Sequence, residues 1–217
     1  ISFLGKSYTY EEIQRAVNQI AKGLQNIGVK KGSKVGIFMP NTPYFVMAYY
    51  GILKAGATVV NFNPLYINRD IAHQISDSET EFMFTLDLAF LFDKIKPMLG
   101  ETCLKKVIVC PLKDALPFPK KWLFQIFKRK DRAHIHFDDH VIPFPSFIHN
   151  DGVCSTPAID QSQDIAVIQY TGGTTGSPKG AMLTHNNVYM NVQQGGLWLQ
   201  GSPEKQEIVL AALPLFH

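Results

Sequence analysis

The sequence predicts an α/β fold of parallel sheets flanked by helices, on two observations. From residue 9 to residue 111, short apolar runs of strand length alternate with amphipathic segments of helical length. Hydrophobic residues make up 46% of the 217-residue chain and charged residues 18%, an ordinary balance for a globular domain with a real core. No internal repeat is visible.

The elements follow in order. Thr9 and Glu12 form a capping box, behind which Ile13, Ala16, Val17, Ile20, Leu24 and Ile27 recur at helical spacing. Gly28 stands where a helix C-cap belongs. Lys34 to Met39 reads as a buried strand, Pro43 to Lys54 as an apolar helix and Ala57 to Val60 as a second strand. Asn68 is the expected cap of a helix over Arg69 to Ser76. Phe82 to Thr85 reads as a third strand, Leu88 to Met98 as a helix and Lys106 to Cys110 as a further strand. After Pro111 the periodicity stops. Prolines 111, 117, 119, 143, 145 and 157 punctuate a stretch expected to be loops. Order returns with a strand from Asp164, a helix over 186–199 and a strand over 207–212. The expected organisation is an α/β subdomain over 1–111, a Pro-rich, basic, irregular insert over 112–163 and a phosphate-loop region over 164–217.

That loop is Tyr170-Thr-Gly-Gly-Thr-Thr-Gly-Ser-Pro-Lys-Gly180. Gly172, Gly173, Gly176 and Gly180 leave room for close backbone approach. Thr171, Thr174, Thr175 and Ser177 supply hydroxyls, and Lys179 supplies a cation. Backbone N–H groups, hydroxyls and an ammonium suit a polyphosphate. A Gly/Ser/Thr linker has similar composition, but a strand-like run precedes this one and a helix-like run follows from Thr184. The ATPase pattern requires lysine directly after its last glycine and a hydroxyl directly after lysine. Here Ser177 and Pro178 precede Lys179, and Gly180 follows. The adjacency of Gly172 and Gly173 breaks the dinucleotide fingerprint as well.

The run from Tyr170 to Gly180, continued by Ala181-Met-Leu-Thr-His185, resembles the signature of the adenylate-forming (AMP-binding) enzymes: acyl-CoA synthetases, luciferases and peptide-synthetase adenylation domains. Leu213-Pro-Leu-Phe-His217 is similar to the Leu-Pro-x-aromatic-His segment of the same family. Asn61-Phe-Asn-Pro-Leu-Tyr66 with Arg69, Met39-Pro-Asn-Thr-Pro43 and Gly51-Ile-Leu-Lys-Ala-Gly56 look most like bacterial long-chain fatty acid–CoA ligases. The resemblance covers nearly the whole chain and is weakest over 112–161.

The resemblance implies an incomplete N-terminal domain of the acyl-CoA synthetase/luciferase-like fold, without the mobile C-terminal domain. It implies ATP-dependent activation of a long-chain fatty acid through acyl-AMP to its CoA thioester, with ATP, Mg2+ and CoA taking part. Thr171, Gly172, Gly173, Thr174, Thr175, Gly176, Ser177, Lys179 and Gly180 would bind the nucleotide. Thr174 or Thr175 would approach magnesium, and Lys179 and His217 would serve catalysis, His217 by orienting the carboxylate and the α-phosphate. The family's magnesium glutamate, ribose aspartate, hinge and adenylation lysine all lie later than the Leu-Pro-x-aromatic-His segment. Ile1 is not a start methionine and no secretory signal opens the chain. The expectation is therefore a piece of a longer enzyme, inactive in overall ligation by itself. An aryl-CoA ligase, a luciferase-like enzyme, a fatty acyl-AMP ligase and a non-catalytic nucleotide- or lipid-binding module stay open as alternatives, and so does a homodimer for the parent enzyme.

The net charge of +3 is unevenly spread. The segment 120–132 holds six basic residues and one acidic, against 15 basic and 17 acidic elsewhere. Trp122, Leu123, Ile126 and Phe127 fall there at helical spacing. Two readings stay open, an interfacial helix on anionic lipid and a surface helix packed on its own domain. One short patch without a recognisable module does not suit nucleic acid. His134, His136 and His140 with Asp138 and Asp139 lack a zinc-like spacing. His73 and His149 read as structural, and His185 as helix N-terminal packing rather than phosphate contact. Cys103, Cys110 and Cys154 cannot all pair and read as free thiols, which suits a cytoplasmic location, with contact to the inner membrane face as an extension.

Overall fold

The computed structural model describes residues 1–171, 178–199 and 208–216. The chain opens with a tight hairpin of β1 (Ser2–Phe3) and β2 (Lys6–Ser7), in which Leu4 and Gly5 both take positive φ. This hairpin is too short to show a period. Helix α1 (Tyr10–Asn26) starts at the expected box: Thr9 Oγ1 accepts from the Glu12 N–H and Glu12 Oε2 accepts from the Thr9 N–H. Gly28, at φ +98°, follows its last turn.

A mixed sheet then builds up through β3 (Lys34–Phe38), α2 (Pro43–Lys54), β4 (Thr58–Asn61), α3 (Asn68–Ser78), β5 (Phe82–Leu86), α4 (Ala89–Ile95), α5 (Met98–Glu101) and β6 (Lys106–Cys110). Asn68 is the first residue of α3 rather than its cap. Ile67 holds the cap position and makes no side-chain hydrogen bond there. The helix expected over 88–98 is two helices, α4 and α5, divided at Pro97, which has no N–H to continue the first.

The stretch 112–163 is more ordered than its prolines suggest. It contains α6 (Lys120–Phe127), β7 (Val141–Pro143) and α7 (Phe144–Phe147). Strand β7 pairs in parallel with β6 and forms one edge of the sheet, where Pro143 is tolerated. Phe144 meets Tyr44 edge-on at 5.0 Å, and Phe147 meets Phe84 at 5.7 Å. The segment thus belongs to the same sheet and core as residues 1–111.

The chain returns through β8 (Ile165–Thr171), β9 (Lys179–Thr184) and α8 (His185–Leu199). Among the described residues the sheet runs β7-β6-β5-β3-β4-β8-β9, parallel throughout except for the β8–β9 hairpin. The sequence predicts no strand at Lys179–Thr184, where β9 forms, because that run reads as the continuation of the loop motif. The strand expected over 207–212 is absent from 208–212, while residue 207 lies outside the described residues.

Burial follows from the layers. β3 to β6 are buried on both faces, as strands covered by helices should be. α1 lies against α2, where Gly51 permits the approach: a Cβ there would stand 2.4 Å from Ile20 Cγ2. No helix among the described residues is long and apolar enough to cross a membrane.

Candidate functional site

Parallel strands point their carboxyl ends the same way, and ligands of open α/β sheets gather there. β3, β4 and β8 are adjacent in the sheet. Just beyond or at their carboxyl ends stand Asn41, Asn61 and Gln169. Asn61 Nδ2 donates to Gln169 Oε1 at 3.0 Å, and Gln74 Nε2 of α3 donates to the Asn61 carbonyl at 2.8 Å. Gln169 Nε2 in turn donates to the Phe216 carbonyl at 2.6 Å. The Asn41 side chain reaches the same C-terminal segment: its Nδ2 donates to the carbonyls of Ala211 (3.1 Å) and Leu213 (2.8 Å), and its Oδ1 accepts from the Leu215 N–H at 2.8 Å. Three motif segments far apart in sequence and strand β8 therefore meet at one edge. Asn41, Asn61 and Gln169 carry no role in the sequence reading. Asn41 and Asn61 do lie within the family-like runs Met39–Pro43 and Asn61–Tyr66.

Thr171 ends β8 and is exposed. Directly across the hairpin stands Lys179, also exposed. Partners of this kind lie about 5 Å apart, so a hydroxyl and an ammonium flank the mouth of the intervening loop. Gly180 faces Tyr170, and a Cβ on it would lie 2.8 Å from Ile168 Cγ2 and 3.0 Å from the Tyr170 ring. Packing alone thus accounts for that glycine. The Tyr170 hydroxyl donates to Asp77 Oδ2. Burial, and then the Asp77 carboxylate, push its pKa well above the ordinary phenol value. Gly172, Gly173, Thr174, Thr175, Gly176 and Ser177 lie outside the described residues, as does His217.

His185 stands at the other end of β9. Its N–H donates to the Asp164 carbonyl at 3.3 Å, at the amino-terminal end of β8 and away from the loop mouth at Thr171 and Lys179. His185 is the first residue of α8. Asp164 itself is held below the usual carboxylate range, first by the Lys31 ammonium at 2.7 Å and then by the Asp160 N–H. His73 and His149 are exposed. Among the described residues no three His, Cys, Asp or Glu side chains converge as a metal site. His140 Nδ1 lies 3.0 Å from the Lys105 carbonyl, and Asp138 Oδ1 accepts from the N–H groups of His140 and Val141. All three cysteines are free thiols. A cavity lined by Asp87, Lys113, Asp114 and Arg132 lies beside β6 and β7, away from the hairpin.

Residues 1–217 match the family model described as AMP-binding enzyme. The chain belongs to the AMP-binding enzyme family. It is 39% identical over 221 residues to a long-chain-fatty-acid–CoA ligase of Bacillus subtilis (strain 168), covering 100% of this chain and 39% of that relative. It is 34% identical to the ligase of the same description from Escherichia coli O157:H7, covering 99% of this chain and again 39% of the relative. A crystal structure of a long-chain-fatty-acid–CoA ligase from Archaeoglobus fulgidus superposes with a TM-score of 0.76 at 27% identity, over 100% of this chain and 37% of that one. This AMP-binding chain thus spans about two fifths of the length of the relatives it matches.

Proposed function

We propose that this chain carries the phosphate-binding part of an ATP-dependent ligase that activates a long-chain fatty acid through acyl-AMP to its CoA thioester. The observation that supports this most is the meeting of the loop mouth, Thr171 and Lys179, with the segment ending at Phe216, through Gln169. In the reaction, a carboxylate oxygen of the acid attacks the α-phosphorus of ATP and the bond to pyrophosphate breaks. The CoA sulfur then attacks the acyl carbon and AMP leaves. Charge spreads over phosphate oxygens in the first step, so fixed donors and cations dominate its catalysis.

Lys179 and the hydroxyls of Thr171 and Ser177 would hold the β- and γ-phosphates, with the loop's backbone N–H groups. The donor set fits the ligand, because an exposed ammonium and hydroxyl face one another at the loop mouth. Magnesium would be held by Thr174 or Thr175, whose oxygens suit a hard cation, and it would neutralise charge on the phosphates. His217 would orient the carboxylate and α-phosphate.

Pyrophosphate exchange tests this. The 217-residue chain alone is expected to give none, and a chain extended to the relatives' full length is expected to exchange when a long-chain fatty acid is present. Lys179→Ala should slow the extended chain by about 100-fold, the scale of one lost oxyanion donor. Substantial exchange by the short chain refutes its dependence on downstream residues. Exchange only with aromatic acids reassigns the substrate.

A peripheral membrane contact belongs to the same proposal. The inner face of α6 carries half-buried Phe124 and Gln125, while Trp122 (57% exposed), Leu123, Ile126 and Phe127 (75% exposed) point outward. Lys121 pairs with Asp114 and Lys128 with Asp131, whereas Arg129 and Lys130 make no ion pair among the described residues. An outward apolar stripe beside cations suits an anionic bilayer surface reached from a reducing compartment. Sedimentation with phosphatidylglycerol-containing vesicles should fall to the level of zwitterionic vesicles when the six cations of 120–132 become glutamine. Unchanged binding would remove the lipid proposal.

A further inference from the structure

Asn41 belongs to no element, yet its side chain makes three hydrogen bonds to backbone groups about 170 residues away. Its own position is fixed on both sides. Pro40 precedes it, and Thr42 follows as the cap of α2, buried and accepting from the Phe45 N–H. The primary amide is the side chain that fits: its two N–H groups serve the Ala211 and Leu213 carbonyls while its oxygen serves the Leu215 N–H. A carboxylate would face two carbonyl oxygens, and an aliphatic side chain would leave all three groups without it. Residues 208–214 are otherwise exposed, and Leu215 and Phe216 are only half-buried. Leu215 and Phe216 pack against the core, whereas 208–214 are not buried, so polar contacts fix the register there. Asn41 at one end and Gln169 at the other supply polar pins to Ala211, Leu213, Leu215 and Phe216.

We infer that Asn41 is a positioning residue: it sets the register of residues 211–216, the segment that leads into His217. This rests on the proposed function only for the role of His217. The clamp itself is a statement about geometry.

Two experiments test it separately. In the 217-residue chain, hydrogen exchange reads the Leu215 amide, which is expected to be protected in the parent and at least about tenfold faster in Asn41→Ala. Equal exchange in the two overturns the clamp whatever the enzyme does. In the chain extended to full length, pyrophosphate exchange is compared for the parent, Asn41→Ala, His217→Ala and the pair. A displaced orienting group typically costs about 10- to 100-fold in kcat, and Asn41→Ala is expected to lose that much with the KM for ATP little changed. The pair should be no slower than His217→Ala alone, because the second change acts through the same group. Losses that multiply, or an Asn41→Ala rate equal to the parent, overturn the positioning role. Asn41→Ser provides the same comparison if the alanine variant does not unfold cooperatively. A parent chain without acid-dependent exchange would refute the proposed function and leave the hydrogen-exchange result standing.

Discussion

Up to Tyr170 the chain builds one continuous buried core, whereas none of the described residues from 178 to 216 is buried. The first region has helices on a parallel sheet, and its strands β3 to β6 are shielded on both faces. The second has β9 on the edge of that sheet and α8 with Tyr189, Met190, Val192, Leu197 and Trp198 exposed. Ile208, Val209, Leu210 and Leu213 are exposed as well, Ile208 at 96%. Both regions carry large apolar residues, so composition does not separate them. The difference is what lies opposite. Residues 1–170 meet one another, while the described residues of 178–216 are attached by a hairpin, by half-buried Leu183, Val188, Leu215 and Phe216, and by polar pins from Asn41 and Gln169. Apolar surface on this scale calls for cover, and the relatives are long enough to contain it.

The largest effect that can break this contrast is a cavity in the first region. Phe84 is fully buried at the middle of β5, edge-on to Phe147. Phe84→Ala should cost about 3–5 kcal/mol, read by urea unfolding of the 217-residue chain. A loss below about 1 kcal/mol would mean that α7 does not pack on the sheet as described, and that 112–163 is the loose insert its sequence suggests.

That stretch shows where the sequence is hard to read. Long periodic elements were legible because their signals repeat: Thr9 and Glu12 announce α1, and the apolar runs of β3, β5 and β6 match their positions within a residue or two. β7 is three residues with a proline, too short for any period, and it is a strand only because β6 offers it an edge. The hairpin of β8 and β9 was hidden for another reason. Lys179 and Gly180 were read for their chemistry, although the same residues also pair with Thr171 and Tyr170. At the site, residue types announced the phosphate loop. Asn41 and Gln169 act through partners about 170 and 47 residues away, which no local pattern encodes.

A smaller effect tests whether α1 is held by its own ends or by the core. Its box is exposed, so Thr9→Ala should cost about 1 kcal/mol through the loss of the two Thr9 Oγ1 bonds, one accepted from the Glu12 N–H and one donated to the Glu12 carboxylate. Helicity and unfolding midpoint check it together. A much larger loss would indicate that the β1–β2 hairpin also depends on this cap.

Two aspartates, both in the first region, set burial against ion pairing in their response to pH. Asp87 is raised above the ordinary carboxylate value of 3.8, chiefly by burial, against the lowering by the Leu112 N–H and Arg132. A raised pKa in the folded state means that the native form holds its proton longer. Its contribution is therefore fully present below pH 3.8 and is lost as pH rises through the raised value. Asp164 is lowered by Lys31, so its contribution is present above 3.8 and lost as pH falls through the lowered value. Asp87→Asn should thus gain on the parent as pH rises from 3 to 7, and Asp164→Asn should lose on it. Urea midpoints across that range read both slopes, and slopes of the same sign would break the assignment of burial to one group and of ion pairing to the other.

The smallest expected effect is the sharpest test of the contrast. Trp198 is 90% exposed near the end of α8. In the 217-residue chain, Trp198→Ala should change stability by no more than about 0.5 kcal/mol, as for any surface position without a partner. In a chain extended to the relatives' length, the same substitution should cost several times more if downstream residues cover that face, since truncating a buried tryptophan costs about 3–5 kcal/mol. Tryptophan fluorescence separates the two chains independently: with Trp122 replaced by phenylalanine, emission should be red-shifted in the short chain and blue-shifted in the long one. Equal effects in both would place the cover elsewhere, and α8 would then be a surface whose apolar residues serve a partner rather than the fold.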